Sequence, residues 1–475
     1  MQFGGKRTDL DLKPIGKPDN ILVKLTDDIL PQPEAVLVHG ITPQKTRTSG
    51  MSEAEFAKYL SGEVFTPDTI AVGYNNVRFD NKFIRFLFWR NFTDAYEWAW
   101  KNGCSTWDFL DVVRTCRALR PDGIKWPFAS DGKPSNKLEL LASVNKFKHD
   151  AHDALGDVKA LVELARLIKS EQPKLFDYLL KLRSKDKVAP IVNSGQPFIY
   201  TSGRYPSEWQ KTTVVAALSG VPERDAAFVY DLRIDPDQYK NASPEDLLKM
   251  WTYRPPRNMQ PSGVQGAGEQ AGAVHDAGYF PIKQLVFNRC PAVVADLRVL
   301  DKASQKRLGL HMEVINNHFK KLAKQPDLGE RMVRAMELSD KKRQPKLVLD
   351  IASVDGALYE GFVNDADKIK MGAVRAADAE TIADFEPGFS DERLNLLLPL
   401  YKGRNFPASL SADETKIWQD YKKARLDSRA SQYQAKISEL SASAGLSKPA
   451  KHLLTDLADW GQFVQTAGVG SVART

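Results

Sequence analysis

The stretch Ala151-His152-Asp153-Ala154-Leu155-Gly156-Asp157 sets an imidazole five positions ahead of a carboxylate, where an apolar periodicity begins. At a loop-to-helix junction, that spacing lets His152 overhang a site into which Asp157 projects from the first helical turn. Phosphodiester hydrolysis uses such a pair. The carboxylate can hold a hard divalent cation, which prefers oxygen ligands, and the imidazole can take a proton from water that the cation acidifies. The same residues would equally cap a helix that performs no chemistry. A second stretch, Gly73-Tyr74-Asn75-Asn76-Val77-Arg78-Phe79-Asp80, closes a short apolar strand and opens a helix rich in aromatics. Asp80 offers a further cation ligand. The amides of Asn75 and Asn76 and the guanidinium of Arg78 suit phosphate, and the ring of Phe79 suits a terminal base. Alone, this stretch reads as a capped helix behind a polar turn.

These residues need rigid elements behind them, and the patterning supplies candidates. Thr69 to Tyr74 (TIAVGY) reads as a strand, and Asn81 to Phe92 as an aromatic helix. Ala154, Val158, Leu161, Ala165 and Ile168 recur at helical spacing and predict one buried stripe. Short β-rich runs alternate with helical patterns over roughly the first 170 residues, the signature of an α/β unit. From about Pro190 to Asp301, runs such as KTTVVAALSG and AAFVYDLRI predict a small β-rich unit. Within it, PSGVQGAGEQAGAVHDAG has the composition of a flexible loop. Beyond about residue 350 the chain is helical in composition, as in DETKIWQDYKKARLDSRASQYQAKISEL. No internal repeat is present.

The bulk numbers fit a multidomain protein with a substantial core: 475 residues, 42% hydrophobic and 27% charged. Lys and Arg number 67 against 60 Asp and Glu, a formal charge of +7. That balance suits a polyanionic partner without requiring one. Three cysteines, Cys104, Cys116 and Cys290, are too few and too scattered for a disulfide framework or a zinc site, and read as reduced, buried thiols. No apolar run approaches the roughly 18 residues of a membrane span. The start MQFGGKRTDLDLKP lacks the apolar core of a signal peptide, so a cytoplasmic protein is expected.

Together the two motifs resemble the DEDDh exonucleases of the ribonuclease-H-like superfamily, in which one Asp follows N-x-x-F-D and the closing motif is H-x-x-x-x-D. Asn76 to Asp80 and His152 to Asp157 carry those patterns, in order. The segments LPQPEAVLVHGITPQ, GYNNVRFDNKFI, TWDFLDVVR, ALRPDGIKWP, AHDALGDV, QPKLFDYL, FNRCPAV, DADKIKM and YKGRNFP extend the resemblance to the exodeoxyribonuclease I family over nearly the whole chain. It implies an α/β ribonuclease-H-like exonuclease domain at 1–172, an SH3-like β domain at 173–345 and an all-α domain at 350–475, enclosing a groove for single-stranded DNA. It also implies 3′→5′ release of 5′-mononucleotides with two Mg²⁺ ions (Mn²⁺ as the alternative), Asp80 and Asp157 as ligands and His152 as general base.

Further roles follow from the same resemblance. Lys137 stands where the family places an arginine on a substrate phosphate; lysine keeps the charge and loses the bidentate geometry. His39, in Val38-His39-Gly40-Ile41-Thr42, follows a loop pattern found near the substrate terminus. Relatives of this family bind the acidic tail of single-stranded DNA-binding protein, and Arg120 and Tyr178 are candidates for that pocket, against a surface ion pair and core packing respectively. Phe79, Trp107 and Trp126 stack on bases or pack in the core, with packing favoured. His149 reads as structural. A monomer acting in DNA repair or recombination is expected.

One departure stands out. DEDDh nucleases begin with a strand bearing D-x-E, and MQFGGKRTDLDLKPIG matches the family's second strand and the turn after it. Asp9-Leu10-Asp11 sits at that turn and reads as turn chemistry. Either the natural protein is longer, the favoured expectation, or the product is truncated. Two alternatives to a DNA exonuclease therefore stay open. One is a catalytically impaired single-strand-binding remnant. The other is an RNA-directed DEDDh enzyme, against which the two additional domains argue.

Overall fold

The computed structural model describes residues 1–147, 154–253, 279–342 and 348–466. His149, His152, Asp153 and the PSGVQGAGEQAGAVHDAG segment lie outside the described residues. The chain opens with an antiparallel pair, β1 (Gln2–Gly5) and β2 (Asp19–Leu22), with Phe3 opposite Ile21. In the connecting turn Asp9 accepts the Lys13 N–H at 2.8 Å, and Asp11 accepts from Lys169 Nζ at 2.8 Å. Both aspartates are thus occupied by local turn and surface contacts.

Helices α1 (Pro33–His39), α2 (Pro43–Ser49) and α3 (Glu53–Tyr59) follow. Next, β3 (Ile70–Gly73), α4 (Asp80–Arg90) and β4 (Ser105–Asp108) form a unit with β3 and β4 parallel, Ile70 opposite Ser105. Parallel pairing needs such a crossover helix. The remaining helices of this module are α5 (Phe109–Leu119), α6 (Leu138–Val144), α7 (Ala154–Glu171), α8 (Pro173–Lys181) and α9 (Lys185–Val192).

The second module is a five-stranded antiparallel sheet in the order β8-β7-β6-β5-β9. Its strands are β5 (Phe198–Thr201), β6 (Thr212–Gly220), β7 (Ala226–Asp231), β8 (Ile282–Val286) and β9 (Ala292–Val294). β5 and β7 are buried along their whole length, as their largely apolar sequences suggest, with Thr201 and Asp231 buried at their ends. Helices α10 (Pro244–Thr252), α11 (Lys302–Leu308), α12 (Met312–Leu322) and α13 (Asp327–Lys342) complete this module. The third module is helical: α14 (Asp365–Ala376), α15 (Glu392–Asn405), α16 (Ala412–Ser441) and α17 (Lys448–Thr466).

The cores cross module boundaries. Trp107, Phe109, Leu164 and Ile168 of the first module share one cluster with Phe198, Val215 and Leu285 of the sheet. Trp89 and Phe92, at the end of α4, sit in the core of the helical module with Leu397 and Tyr401. Leu30 and Val36 are gripped by Leu457 and Trp460 of α17. Cys104, Cys116 and Cys290 are buried free thiols. Among the described residues no helix is long and apolar enough to cross a membrane.

Candidate active site

The turn after β3 is built around a carboxylate that ends β4. Asp108, buried, accepts the N–H groups of Asn75 at 2.9 Å, Val77 at 3.4 Å and Leu110 at 3.1 Å. Burial, and secondly the nearby Asp111, raise its carboxyl to about 6, against the pull of those three N–H groups. Asn75 is left-handed, at φ 64°, a conformation asparagine adopts more readily than most residues. Gly73 is required by close approach, since a Cβ there would stand 2.5 Å from Asn76 Cβ. Asn76 is thereby buried, and its Oδ1 has no partner among the described residues. Arg78 is exposed, and Phe79 is 59% exposed with its ring 4.8 Å from that of Phe83. Packing, the favoured expectation for Phe79, is corrected: its helix starts at an open edge. Asp80 is the first residue of α4, and the protein around it raises its carboxyl.

The second motif enters on α7. The Ala154 N–H donates to Gln2 Oε1 at 3.4 Å, and a Cβ on Gly4 would stand 2.6 Å from the Ala154 carbonyl. Gly4 in β1 thus lets the helix start press directly on the strand, with Asp157 in its first turn.

A cavity of about 1450 Å³ takes in Asp80, Asp157, His39, Asn76 and Phe79 together. All of β1 and all of β3 line it, and each of these strands has one strand partner among the described residues. Phe56, Ile84, Leu87 and Leu161 make its walls largely apolar. Ala154 and Val158, expected in a buried stripe, are half-buried because they line this opening.

The other expected residues divide. His39 ends α1; its Nδ1 accepts the Ile41 N–H at 3.0 Å, and burial lowers its pKa toward the neutral imidazole. Lys137 caps α6 and its Nζ lies 3.5 Å from Glu139; Leu138 and Glu139 line the cavity, whereas Lys137, Asn75 and Arg78 stand outside its lining. Trp107 packs on Phe109 and Phe176 at 5.3 and 5.2 Å, and Trp126 donates to the Pro121 carbonyl at 2.7 Å. Arg120 and Tyr178 are away from the cavity. Arg120 Nη1 donates to the carbonyls of Leu119 at 2.6 Å and Val299 at 3.0 Å, and Tyr178 packs against both the first core and that of the second module.

Two positioning residues escaped the sequence reasoning. Asp108 had a faint signal, an Asp directly before a helical pattern. Arg117 had none. Its guanidinium donates to the Ser135 and Pro127 carbonyls at 2.6 and 3.0 Å and lies over the rings of Trp126 and Phe128, and burial lowers its pKa to about 10. It pins the segment that leads into Lys137.

Two carboxylates do not complete a cage for a hard divalent cation. Among the described residues no three His, Cys, Asp or Glu side chains gather closely enough to hold one.

Comparison with known proteins places this geometry. Residues 1–165 match the family model for Exonuclease, 183–337 the Exonuclease I SH3-like domain, and 352–464 the Exonuclease I C-terminal domain. Exodeoxyribonuclease I of Haemophilus influenzae is 36% identical over 443 residues, 92% of this chain and 89% of that protein. The solved complex of Escherichia coli exonuclease I with a dA16 oligonucleotide superposes with a TM-score of 0.86 at 33% identity, covering 98% of this chain and 95% of that one. A solved ExoI/SSB-Ct complex gives a TM-score of 0.85 at 33% identity, covering 98% and 94%.

Proposed function

The chain belongs to the exodeoxyribonuclease I family, and we propose that it removes 5′-mononucleotides one at a time from the 3′ end of single-stranded DNA. The observation that carries this is the convergence of Asp80, Asp157, Asn76, His39 and Phe79 on one cavity. Asp80 and Asp157 supply part of a site for divalent cations, two Mg²⁺ in our reading, with Mn²⁺ as the alternative. Such an ion, when bound, acidifies water and neutralises phosphate charge.

The chain's own residues do the rest. Asn76 Oδ1, buried without a partner among the described residues, offers an acceptor to the terminal nucleotide, while Phe79 offers an exposed ring to its base. Arg78 and Lys137, at the rim, attract the phosphates. His39, whose Nδ1 accepts the Ile41 N–H, offers its Nε2–H as a donor at the strand end. His152, two residues before Ala154, acts as general base on the attacking water.

The D-x-E carboxylates that the family resemblance implies would complete the ligand set; with Asp80 and Asp157 alone the site would bind single-stranded DNA and hydrolyse it poorly. Arg120 and Tyr178 form the pocket for the acidic tail of single-stranded DNA-binding protein. The setting is DNA repair or recombination in the cytoplasm, by a monomer.

Release of mononucleotides from 3′-labelled single-stranded DNA, with and without chelator, tests the reading against labelled RNA of the same sequence. His152→Ala should cut turnover about a hundredfold while largely keeping DNA binding. Unchanged turnover removes His152 from the mechanism, and a preference for RNA points to the RNA-directed alternative.

A further inference from the structure

Among the described residues β4 has a strand partner on one edge only, β3. The Ser105 N–H donates to the Thr69 carbonyl at 3.0 Å, so Ser105 and Trp107 turn their backbone groups toward β3, and Thr106 and Asp108 turn theirs to the outer edge. A parallel neighbour would satisfy that edge with a single residue, its N–H on the Thr106 carbonyl and its carbonyl on the Asp108 N–H. A side chain of the second module stands there instead. The Cys290 thiol donates to the Thr106 carbonyl at 2.9 Å, and the Asp108 N–H donates to the same sulfur. A thiol can do both with one atom.

Two further observations bear on that thiol. Burial pushes it up to about 11, so it keeps the proton it donates. Its backbone is left-handed, at φ 49° and ψ 48°, a conformation that side chains with a Cβ avoid. The next residue is Pro291, and a residue before proline is pushed toward extended backbone. Glycine would take this turn without strain and would bring no thiol. A residue kept there against both preferences is held by what its side chain touches. What it touches leads to the site: Asp108 ends β4, and its carboxylate holds the Asn75 and Val77 N–H groups in the turn before Asp80. The start of β4 is fixed separately, by Arg183 Nε on Ser105 Oγ at 3.0 Å.

We propose that Cys290 is a positioning residue of the candidate active site: its thiol replaces a strand neighbour at Thr106 and Asp108, and through it the second module sets the backbone from which Asp108 holds the Asn75–Val77 turn. Its effect on turnover rests on the exonuclease reading, whereas its effect on the turn rests on these contacts alone.

Three variants of the whole chain test this. Cys290→Ala removes both contacts, Cys290→Gly removes them and also relieves the left-handed backbone, and Cys290→Ser keeps a donor and an acceptor on a shorter arm. Hydrogen–deuterium exchange over Gly73 to Asp80 should quicken about tenfold in the Ala and Gly variants and stay within about threefold of wild type in the Ser variant. Cys290→Gly should melt above Cys290→Ala. Mononucleotide release should nevertheless fall about tenfold in both, at unchanged KM, and return in Cys290→Ser. A melting midpoint that recovers while turnover does not separates positioning from packing. Turnover that follows the midpoint, or exchange over Gly73 to Asp80 equal to wild type in the Ala and Gly variants, overturns the role. If Cys290→Ala fails to fold, Cys290→Gly against Cys290→Ser carries the same comparison. A wild-type chain that releases no mononucleotide overturns the nuclease reading, and the exchange measurement then decides the positioning by itself.

Discussion

An aspartate held near pH 6 by burial changes charge within the range where enzymes are assayed, which makes Asp108 the most informative single residue of the site. Well below 3.8 it is neutral in the folded and unfolded chain alike. As pH rises from about 4 to about 6 the unfolded chain releases this proton and the folded chain keeps it, so folding stability falls. From 3.8 to about 6, at ~1.4 kcal/mol per pH unit, the loss is at most about 3 kcal/mol. Above pH 6 the penalty is constant, and the ionised carboxylate is the acceptor that holds the Asn75 and Val77 N–H groups. Turnover should therefore rise through pH 6 while denaturant stability declines toward it. Carbon NMR of the carboxyl should show a midpoint near 6; a midpoint near 4 would remove Asp108 as the cause. Asp108→Asn keeps an oxygen but places an amide where an acceptor is needed. It should lower turnover by about tenfold with the pH 6 step gone, the turn no longer being held.

At the scale of elements, the sides of β1 and β3 that have no strand partner among the described residues make a physical demand. Strand edges and apolar walls open to a cavity of about 1450 Å³ leave backbone groups to water and apolar surface unburied. A strand of alternating apolar residues carrying two carboxylates, fused ahead of Met1, should raise the thermal midpoint and increase metal-dependent turnover by at least about a hundredfold. The same strand with both carboxylates changed to amides should raise the midpoint alone. A fusion that shifts neither measurement would show that the gap does not take a strand.

How far this was legible depends on what decided each feature. The elements flanking the site announced themselves through periodicity: the strand at Ile70–Gly73, the aromatic helix after it and the long helix from Ala154. The pairing of Asp80 with Asp157 came from the resemblance of their two motifs to those of the DEDDh exonucleases. What the sequence hid were features set by tertiary contact. Burial of the Asp108 carboxylate and the Arg117 guanidinium depends on neighbours far along the chain. Phe79 looked like a core residue because aromatics usually pack, and only the open cavity beside α4 leaves it exposed.

At the scale of the molecule, a buried ion cluster joins the first module to the helical one. Arg404 Nη2 reaches Asp28 Oδ2 at 3.0 Å and Asp355 Oδ2 at 2.6 Å, Arg425 reaches Asp355 at 2.7 Å, and the Tyr421 hydroxyl donates to Asp355 at 2.7 Å. Asp28 and Arg404 are almost fully buried, so each charge depends on the others. Next to Asp28, the Ile29 carbonyl accepts from Trp460 Nε1 at 3.0 Å. The segment leading to α1 and His39 is thus held from two sides by the helical module. Arg404→Met removes one charge and leaves two buried carboxylates with Arg425 alone, which should cost about 3–5 kcal/mol. The guanidiniums hold Asp28 and Asp355 below the ordinary carboxylate range. That contribution is present above about pH 4 and is lost as pH falls through the lowered values. Adding Asp28→Asn to Arg404→Met should return part of the loss, because one stranded charge is gone. A double-mutant cycle by urea unfolding measures this directly, with an expected coupling of at least about 1 kcal/mol. Additive losses, or a single Arg404→Met variant as stable as the parent, would show that the modules are held by their shared apolar clusters and that the ions contribute nothing to the union.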